Sequence, residues 1–319
     1  MPRPAQAATR PPWQLAFVIL ASIWGCSFLF IKLGLAGLNP IQVSFARVAI
    51  GAITLVLVSG LTRTRLPRSR TLWRHLFVMA VLMNVVPFIL FSYGETHVSS
   101  ILAGIINGAT PLTTLAVILI AFPEEEPTRN RVVGLLIGFT GLLVVVGIWN
   151  GLGAGELSGI LACIGAICGY GIAYPYGRRH VVGLTDGPVS IATGQMLAAT
   201  LMLLPLAALS GGTTGPITSS VVLSMLALGA LGTGIAYVLN YRIVAAAGAT
   251  TASTVTYLTP LVAILVGFVF LGEPLTWNEP IGGLIVVLGV AVSQGRLSGG
   301  LRRLGLGGAG EAPEAVEGS

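Results

Sequence analysis

The amino-acid sequence predicts an all-α membrane protein with ten transmembrane helices, arranged as two inverted five-helix repeats. Three observations lead to this fold class: an apolar composition, positive charges confined to alternate connectors, and motifs of the first half that return in the second. The 319 residues are 54% hydrophobic and 9% charged, with a mean hydropathy of +0.90. Soluble domains average about 25% charged residues, so most of this chain is expected to lie in lipid.

Ten apolar runs have the length of about 20 residues that an α-helix needs to cross a bilayer. Because lipid offers the backbone no hydrogen-bond partners, runs of this length are expected to be helical. The runs are 14–34, 41–61, 73–93, 97–121, 131–149, 156–175, 187–209, 218–241, 248–271 and 278–295. Cys26, Cys163 and Cys168 all lie within them and are predicted to be small apolar side chains without a disulfide or metal role.

The positive charges predict the orientation, since cytoplasmic connectors are enriched in Lys and Arg. With the N-terminus in the cytoplasm, the inner segments hold 15 of the 17 basic residues, and the outer connectors hold none. The fifteen are Arg3, Arg10, Arg63, Arg65, Arg68, Arg70, Arg74, Arg129, Arg131, Arg178, Arg179, Arg242, Arg296, Arg302 and Arg303. The pattern predicts a multi-pass protein of the inner (plasma) membrane with both termini in the cytoplasm.

Motifs of the first half return about 148 residues later. The pairs are Thr110-Pro111 with Thr259-Pro260, Glu126-Pro127 with Glu273-Pro274, Gly134 and Gly141 with Gly282 and Gly289, and, more weakly, Pro40 and Arg47 with Pro188 and Gln195. Because each half has five helices, an odd number, the second half must enter the membrane from the opposite side. Inverted repeats of this kind are typical of secondary transporters. The predicted segments are a cytoplasmic tail of 1–12, a first repeat of 13–149, a second repeat of 150–296 and a disordered cytoplasmic tail of 297–319.

The sequence resembles the ten-helix, EamA-type members of the drug/metabolite transporter superfamily over residues 14–295. The residues that carry the resemblance are Trp24-Gly25-Cys26-Ser27-Phe28, Lys32, Pro40, Arg47, both Thr-Pro pairs, the Glu near each of the two matching connectors, and the spaced glycines of helices 5 and 10. The resemblance implies two EamA-type repeats that form a permease. It also implies a central cavity lined by the first four helices of each half, with helices 5 and 10 at the periphery.

Helices 1 and 2 offer candidate substrate contacts. A cation inside the membrane costs about 2.5–3.5 kcal/mol on insertion scales, so Lys32 and Arg47 are candidates for a functional site. Lys32 shares a helix face with Trp24 and Phe28. Two interpretations of Lys32 stay open, a substrate contact and an anchor that reaches the outer headgroups. Arg47 either binds an anionic substrate group or pairs with backbone carbonyls.

Helix 3 carries a stripe of candidate binding residues with polar ends and an aromatic middle: Asn84, Phe88, Phe91 and Glu95. Glu95, with His97 two residues later, is a candidate for proton coupling, because both side chains titrate near neutral pH when perturbed. An ordinary solvated loop is the favoured interpretation of this pair. Since no acidic residue is placed at mid-membrane, facilitated diffusion and exchange also stay open.

The repeated Thr-Pro segments offer further candidates. In helix 4 these are Asn107, Thr110 and Pro111, and in helix 9 they are Thr256, Tyr257 and Pro260. Proline removes one backbone hydrogen bond, so each Pro predicts either a hinge or a plain packing kink. Tyr170 of helix 6 and Tyr237 and Asn240 of helix 8 complete the set of predicted substrate contacts.

The predicted function is a secondary permease that exports small metabolites, such as amino acids or related organic solutes, by alternating access. Broad-specificity drug efflux is the alternative. An intramembrane enzyme or a lipid-flippase-like scaffold is disfavoured, because no nucleophile with a base, and no metal-ligating set, lies at membrane depth. No cofactor, metal or nucleic acid is expected. The partners are a small-molecule substrate and the lipid bilayer, and both a monomer and a homodimer stay open.

Overall fold

The computed structural model describes residues 13–121, 128–151, 153–181, 187–240, 242–243 and 254–295. These residues form helices joined by turns and short connectors, and the described part of the chain contains no strand. Within these residues, eight helices are long and apolar enough to cross a membrane, and two more are shorter apolar helices. In chain order they are α1 (Trp13–Gly34), α2 (Pro40–Leu61), α3 (Arg70–Gly94), α4 (Ser100–Ile120), α5 (Arg129–Val146), α6 (Ala154–His180), α7 (Pro188–Leu209), α8 (Ser219–Asn240), α9 (Thr259–Leu271) and α10 (Asn278–Ser293).

The predicted all-helical membrane architecture is confirmed, and most helix ends fall within a few residues of the apolar runs. The exception is α9, which begins at Thr259; residues 248–253 of the run predicted for it lie outside the described residues. A short 3-10 turn, Thr254–Tyr257, precedes it. Pro260 lies in the first turn of α9, where its missing N–H leaves no helical bond unmade. The predicted tails, 1–12 and 297–319, lie outside the described residues.

Four of the long helices are interrupted. α1 breaks at Cys26 and α4 breaks at Ala109, immediately before Thr110-Pro111. In α3 a π-helical turn runs from Val81 to Val85, and in α8 a longer one runs from Ala227 to Ile235. The first π turn contains Asn84 and the second contains Thr233. These residues are 149 apart, so the two turns occupy equivalent positions of the two halves. Such π turns are frequent at functional sites.

The α4 and α9 helices cross where the two Thr-Pro segments meet. A Cβ atom on Gly108 of α4 would lie 2.5 Å from the Pro260 ring of α9. One turn earlier, Gly104 faces Ala263 of α9 just as closely. Small residues at these points let the two helices approach closely. The interruption of α4 and the start of α9 therefore lie together in the interior of the bundle.

Helices α5 and α10 pair backbone to backbone through the repeated glycines. A Cβ atom on Gly141 would lie 2.6 Å from the amide nitrogen of Val286, and one on Gly282 would lie 2.5 Å from that of Val145. The opposite faces of the pair are apolar and exposed, as at Phe139, which is 57% exposed. The Gly-x6-Gly spacing thus marks the α5–α10 crossing.

We expect Gly141→Leu to prevent folding, because its side chain would overlap the backbone of α10, which cannot shift without parting the pair. Overpacking in a core costs about 1–3 kcal/mol, and a backbone contact raises that cost. The matched control is Gly60→Leu in α2, where an added Cβ meets no atom within 4 Å. Monodisperse yield and the melting temperature in detergent are the measurements. A Gly141→Leu protein as stable as the Gly60→Leu protein would contradict the assigned crossing.

Candidate functional site

A cluster of buried polar side chains joins α2, α3, α7 and α8 at the two π turns. We call Arg47, Asn84, Gln195, Thr233 and Tyr237 the central polar cluster. Arg47 Nε donates to Thr233 Oγ1 at 3.1 Å. Gln195 Nε2 donates to Asn84 Oδ1 at 2.6 Å, and Asn84 Nδ2 donates to the Tyr237 hydroxyl at 3.3 Å. Of these residues, Asn84 and Thr233 are completely buried.

The two strongest hydrogen bonds of this cluster occupy equivalent places in the two halves of the sequence. Arg47 of α2 and Gln195 of α7 are 148 residues apart, and Asn84 of α3 and Thr233 of α8 are 149 apart. The Arg47–Thr233 bond therefore joins α2 to α8 as the Gln195–Asn84 bond joins α7 to α3. Only one of the two bonds carries a formal charge.

Arg47 gives the cluster a single positive pole. Its guanidinium lies 3.7 Å from the centre of the Phe88 ring, and the residue is 9% exposed. Its hydrogen bond to Thr233 uses one of five N–H donors, and no carboxylate of the described residues pairs with it. A buried charge is costly unless it is paired, and the cation–π contact offsets only part of that cost. The remaining guanidinium donors are therefore suited to an anionic group of a bound solute.

An aromatic wall lies next to the cluster on the side of α1 and α6. The Phe28 and Phe91 rings meet edge to face, with centroids 5.5 Å apart, and the Tyr170 ring lies 6.2 Å from Phe91. Phe28 and Phe91 are buried. Three helices thus contribute one continuous ring surface, which is suited to an apolar or aromatic part of a solute.

The ends of α1, α3, α4 and α9 are tied together at one end of the bundle, which we call the Lys32 end. Lys32 Nζ donates to the backbone carbonyls of Glu95 and Val98, at 2.6 and 2.9 Å. The Glu273 carboxylate, beyond α9, accepts from Ser100 N, Ser100 Oγ and Ile101 N at 2.8, 2.9 and 3.1 Å. Lys32 thus connects α1, in the first half, to the turn between α3 and α4. Glu273 connects the end of α9, in the second half, to the first residues of α4.

Glu95 is completely buried at this end, so the solvated-loop interpretation of that residue is wrong. Neither of its carboxylate oxygens has a hydrogen-bond partner among the described residues. His97, by contrast, is exposed and packs against Tyr93, with ring centroids 4.7 Å apart. The sequence could not distinguish these two residues, because burial here depends on how α1, α4 and α6 close over the end of α3.

The other predicted contacts lie outside the central polar cluster. Trp24 packs with Leu20, Ala21 and the residues around them. Asn107 is half-buried and has no side-chain hydrogen bond within the described chain, while Thr110 Oγ1 donates to the Asn107 carbonyl at 2.7 Å. Further predicted positions are Pro111, Asn240 and Thr256, all half-buried, the buried Pro260, and Tyr257, whose side chain lies outside the described residues.

The sequence prediction missed Gln195, Thr233 and Glu273 as members of these sites. Each of them carried a signal in the internal repeat. Gln195 is the counterpart of Arg47, Thr233 follows Asn84 by 149 residues, and Glu273 belongs to the repeated Glu-Pro motif. A polar residue whose counterpart is also polar therefore deserves a place among the candidates of a repeated fold.

Comparison with known proteins gives a consistent result. The model of the EamA-like transporter family matches twice, at residues 11–147 and 157–294. A transporter of Bacillus subtilis, YdfC, is 26% identical over 85% of this chain and 87% of its own length. A probable terminal-alkyne amino-acid exporter of Streptantibioticus cattleyicolor is also 26% identical, over 89% of this chain and 94% of its own length.

A solved crystal structure superimposes with a TM-score of 0.64 at 18% identity, covering 88% of this chain and 96% of that one, which supports the fold. The relatives are transporters rather than enzymes, and the helices are those of a multi-pass membrane protein. Together with the doubled family match, these findings identify the chain: it belongs to the EamA-like transporter family.

Proposed function

We propose that this chain is a secondary transporter that exports amino acids or closely related zwitterionic solutes across the plasma membrane by alternating access. The observation that carries the proposal is the guanidinium of Arg47 inside a buried polar cluster, where it bonds Thr233 and lies over Phe88 but pairs with no carboxylate of the described residues. A carboxylate is the natural partner of a guanidinium, which presents two parallel N–H donors to its two oxygens. The amino-acid exporter among the relatives supports the same class of solute.

In this proposal the central polar cluster and the aromatic wall bind one solute together. Arg47 binds the carboxylate, and the side-chain oxygens of Asn84 and Tyr237, which belong to one hydrogen-bonded chain with Gln195, accept hydrogen bonds from the ammonium group. Phe28, Phe91 and Tyr170 contact the side chain of the solute. The remaining predicted contacts of the described side chains, Trp24, Asn107, Thr110, Asn240 and Thr256, are proposed to line the path to the cluster.

Alternating access is proposed to use two inverted repeats, 13–149 and 150–296, and the membrane orientation follows from the arginines. The Lys32 end faces outward, because the connectors at the opposite end hold the basic residues. The equivalent positions of the Arg47–Thr233 and Gln195–Asn84 bonds support the repeat. Pro111 and Pro260 are the proposed hinges, since α4 is interrupted just before Pro111, α9 begins just before Pro260, and Gly108 of α4 packs against Pro260.

Broad-specificity drug efflux is the second candidate, and the aromatic wall favours it. Ring surfaces bind many planar apolar compounds without a fixed geometry. A positive pole beside the wall opposes cationic drugs, so this version of the function would be limited to neutral or acidic compounds.

Counterflow in proteoliposomes tests the proposed function. The purified protein is reconstituted with a high internal concentration of one unlabelled solute, and entry of the labelled solute is measured across a panel of amino acids, their methyl esters and neutral aromatic drugs. We expect saturable counterflow of free amino acids and little of the esters, which lack the carboxylate. Equal flux of acids and esters would favour drug efflux, and the absence of saturable flux for every compound would remove the permease function.

A further inference from the structure

Glu95 is the one acidic side chain of the described residues that is fully buried with both carboxylate oxygens unpartnered. It follows the last residue of α3 and lies beneath the contacts that tie the Lys32 end together. An ionised carboxylate without partners is strongly disfavoured in such a place, and a protonated one is far less so. The protonation of this group is therefore linked to whether the Lys32 end is closed.

The charged and titratable groups around Glu95 do not replace the missing partners. Lys32 of α1 uses its ammonium group to bind two backbone carbonyls, one of them that of Glu95 itself. Glu273, beyond α9, binds the start of α4. The other groups that face Glu95 are Arg47 of α2, which lies in the central polar cluster, and Cys163 of α6, whose sulfur packs against Gly94; His97 of its own connector is exposed.

We propose that Glu95 is a proton-binding site of this transporter: its carboxyl takes up one proton from water when the Lys32 end closes and returns it to water when that end opens. The O–H bond that forms on closing is the one that breaks on opening, so the step balances without another reactant. The inference rests on the proposed function, because it requires that the Lys32 end opens. It names the coupled ion as a proton and the group that carries it.

The sign of the pH dependence follows from burial. Desolvation raises the pKa of Glu95 well above its ordinary value in the closed state; nearby Lys32 opposes that rise and Glu273 adds to it. When the end opens, water restores a pKa near the ordinary value of about 4.3. At a pH between the pKa of the open state and that of the closed state, the closed state holds one more proton than the open state. Raising the pH therefore favours opening, by at most about tenfold per pH unit.

A thiol reporter beneath the Glu273 contacts measures opening without any substrate. Ile101 of α4 is completely buried and packs against Gly267 of α9, so parting of these helices must expose it. The reporter is Ile101→Cys in a protein whose native cysteines are replaced by alanine. Its reaction with a membrane-impermeant maleimide, added to the outside of right-side-out vesicles, is followed from pH 5.5 to 8.5. Thiol reactivity itself rises with pH, so every rate is divided by that of the E95Q variant, whose amide mimics the protonated acid.

We expect the rate relative to E95Q to be near one at pH 5.5 and to rise several-fold with increasing pH. The matched control E156Q removes an exposed carboxylate at the same end and should behave as the unmodified reporter protein does. An H97Q variant should keep the pH dependence, which separates Glu95 from the nearby histidine.

Three results would overturn the proposal: a ratio that stays constant with pH, a pH dependence lost in H97Q, or an E95Q protein that is already open at pH 5.5. The last would mean that the closed state needs the ionised carboxylate. Because no solute is present, a pH-dependent ratio supports the proton site even if the counterflow panel gives no flux. A constant ratio rejects the site even if the panel succeeds.

Discussion

Arg47→Met is expected to lower counterflow of amino acids by about 10- to 150-fold while leaving a folded protein. Charge-assisted hydrogen bonds contribute about 1.5–3 kcal/mol each, and each 1.4 kcal/mol is a factor of ten in affinity. Folding should persist because methionine fills a similar volume over Phe88, and the Thr233 hydroxyl keeps its bond to the Leu228 carbonyl, at 3.3 Å. The loss should therefore appear in transport and not in stability.

The controls for this prediction separate charge from geometry. Arg47→Lys keeps the charge without the planar fork, so its counterflow should lie between those of the unmodified protein and Arg47→Met. Arg74→Met removes an exposed arginine of α3 and should change nothing. The methyl ester of the amino acid with the highest counterflow is a further control. The ester should be transported equally poorly by Arg47→Met and by the unmodified protein. If Arg47→Met reduced the flux of acid and ester by the same factor, Arg47 would be a structural residue.

The helices could be predicted from the sequence because lipid imposes a simple rule. A run of about 20 apolar residues has to be helical where the backbone has no other partner. The same rule does not predict where these helices are interrupted. The π turns at Val81–Val85 and Ala227–Ile235 contain no proline, although Pro87 follows the first closely and the second contains Gly229, Gly232 and Gly234. Proline and glycine indicate that a helix can bend, but they do not predict a π turn in particular.

Three members of the central polar cluster, Arg47, Asn84 and Tyr237, could be selected from the sequence one by one, but Gln195, Thr233 and the pairing could not. Arg47 and Asn84 were selected because polar groups at membrane depth are costly, and that argument holds for each residue alone. Their partners come from the other half of the chain, and only tertiary packing brings Thr233 and Gln195 to them. For Glu95 it is the burial that the sequence could not predict. It lies at the end of an apolar run, where sequence cannot distinguish a solvated turn from one that neighbouring helices cover.

The two halves of the chain contribute differently to the charge of the central polar cluster. Duplication gives α2 and α7 equivalent positions, and those positions hold Arg47 and Gln195. A symmetric pair of arginines would place two positive charges in a small buried volume, which would favour a dianion. One arginine with one amide leaves a single positive pole with neutral donors and acceptors beside it. That asymmetry fits a solute with one carboxylate and one ammonium group.

Glu273→Ala is expected to open the Lys32 end and to increase labelling of the Ile101→Cys reporter by about 5- to 30-fold. The Glu273 carboxylate accepts three hydrogen bonds from the first residues of α4, where the partial positive charge of the helix strengthens them. Loss of a cap at a helix start costs about 0.5–2 kcal/mol, and a factor of 5–30 in an equilibrium corresponds to about one or two kcal/mol. This cost falls on the closed state alone if the contact breaks on opening.

Thr218→Ala is the matched control, because it removes a cap from another helix at the same end without touching α4 or α9. The exposed Thr218 Oγ1 accepts from Val221 N at 3.4 Å, within the start of α8 itself. Its loss should weaken α8 equally in the closed and open states, so labelling should stay at the level of the reporter protein. Glu273→Ala should also slow counterflow, since each cycle needs the Lys32 end to close. Equal labelling of the two variants would show that Glu273 does not hold the two halves together, and closing of the Lys32 end would then have to depend on Lys32.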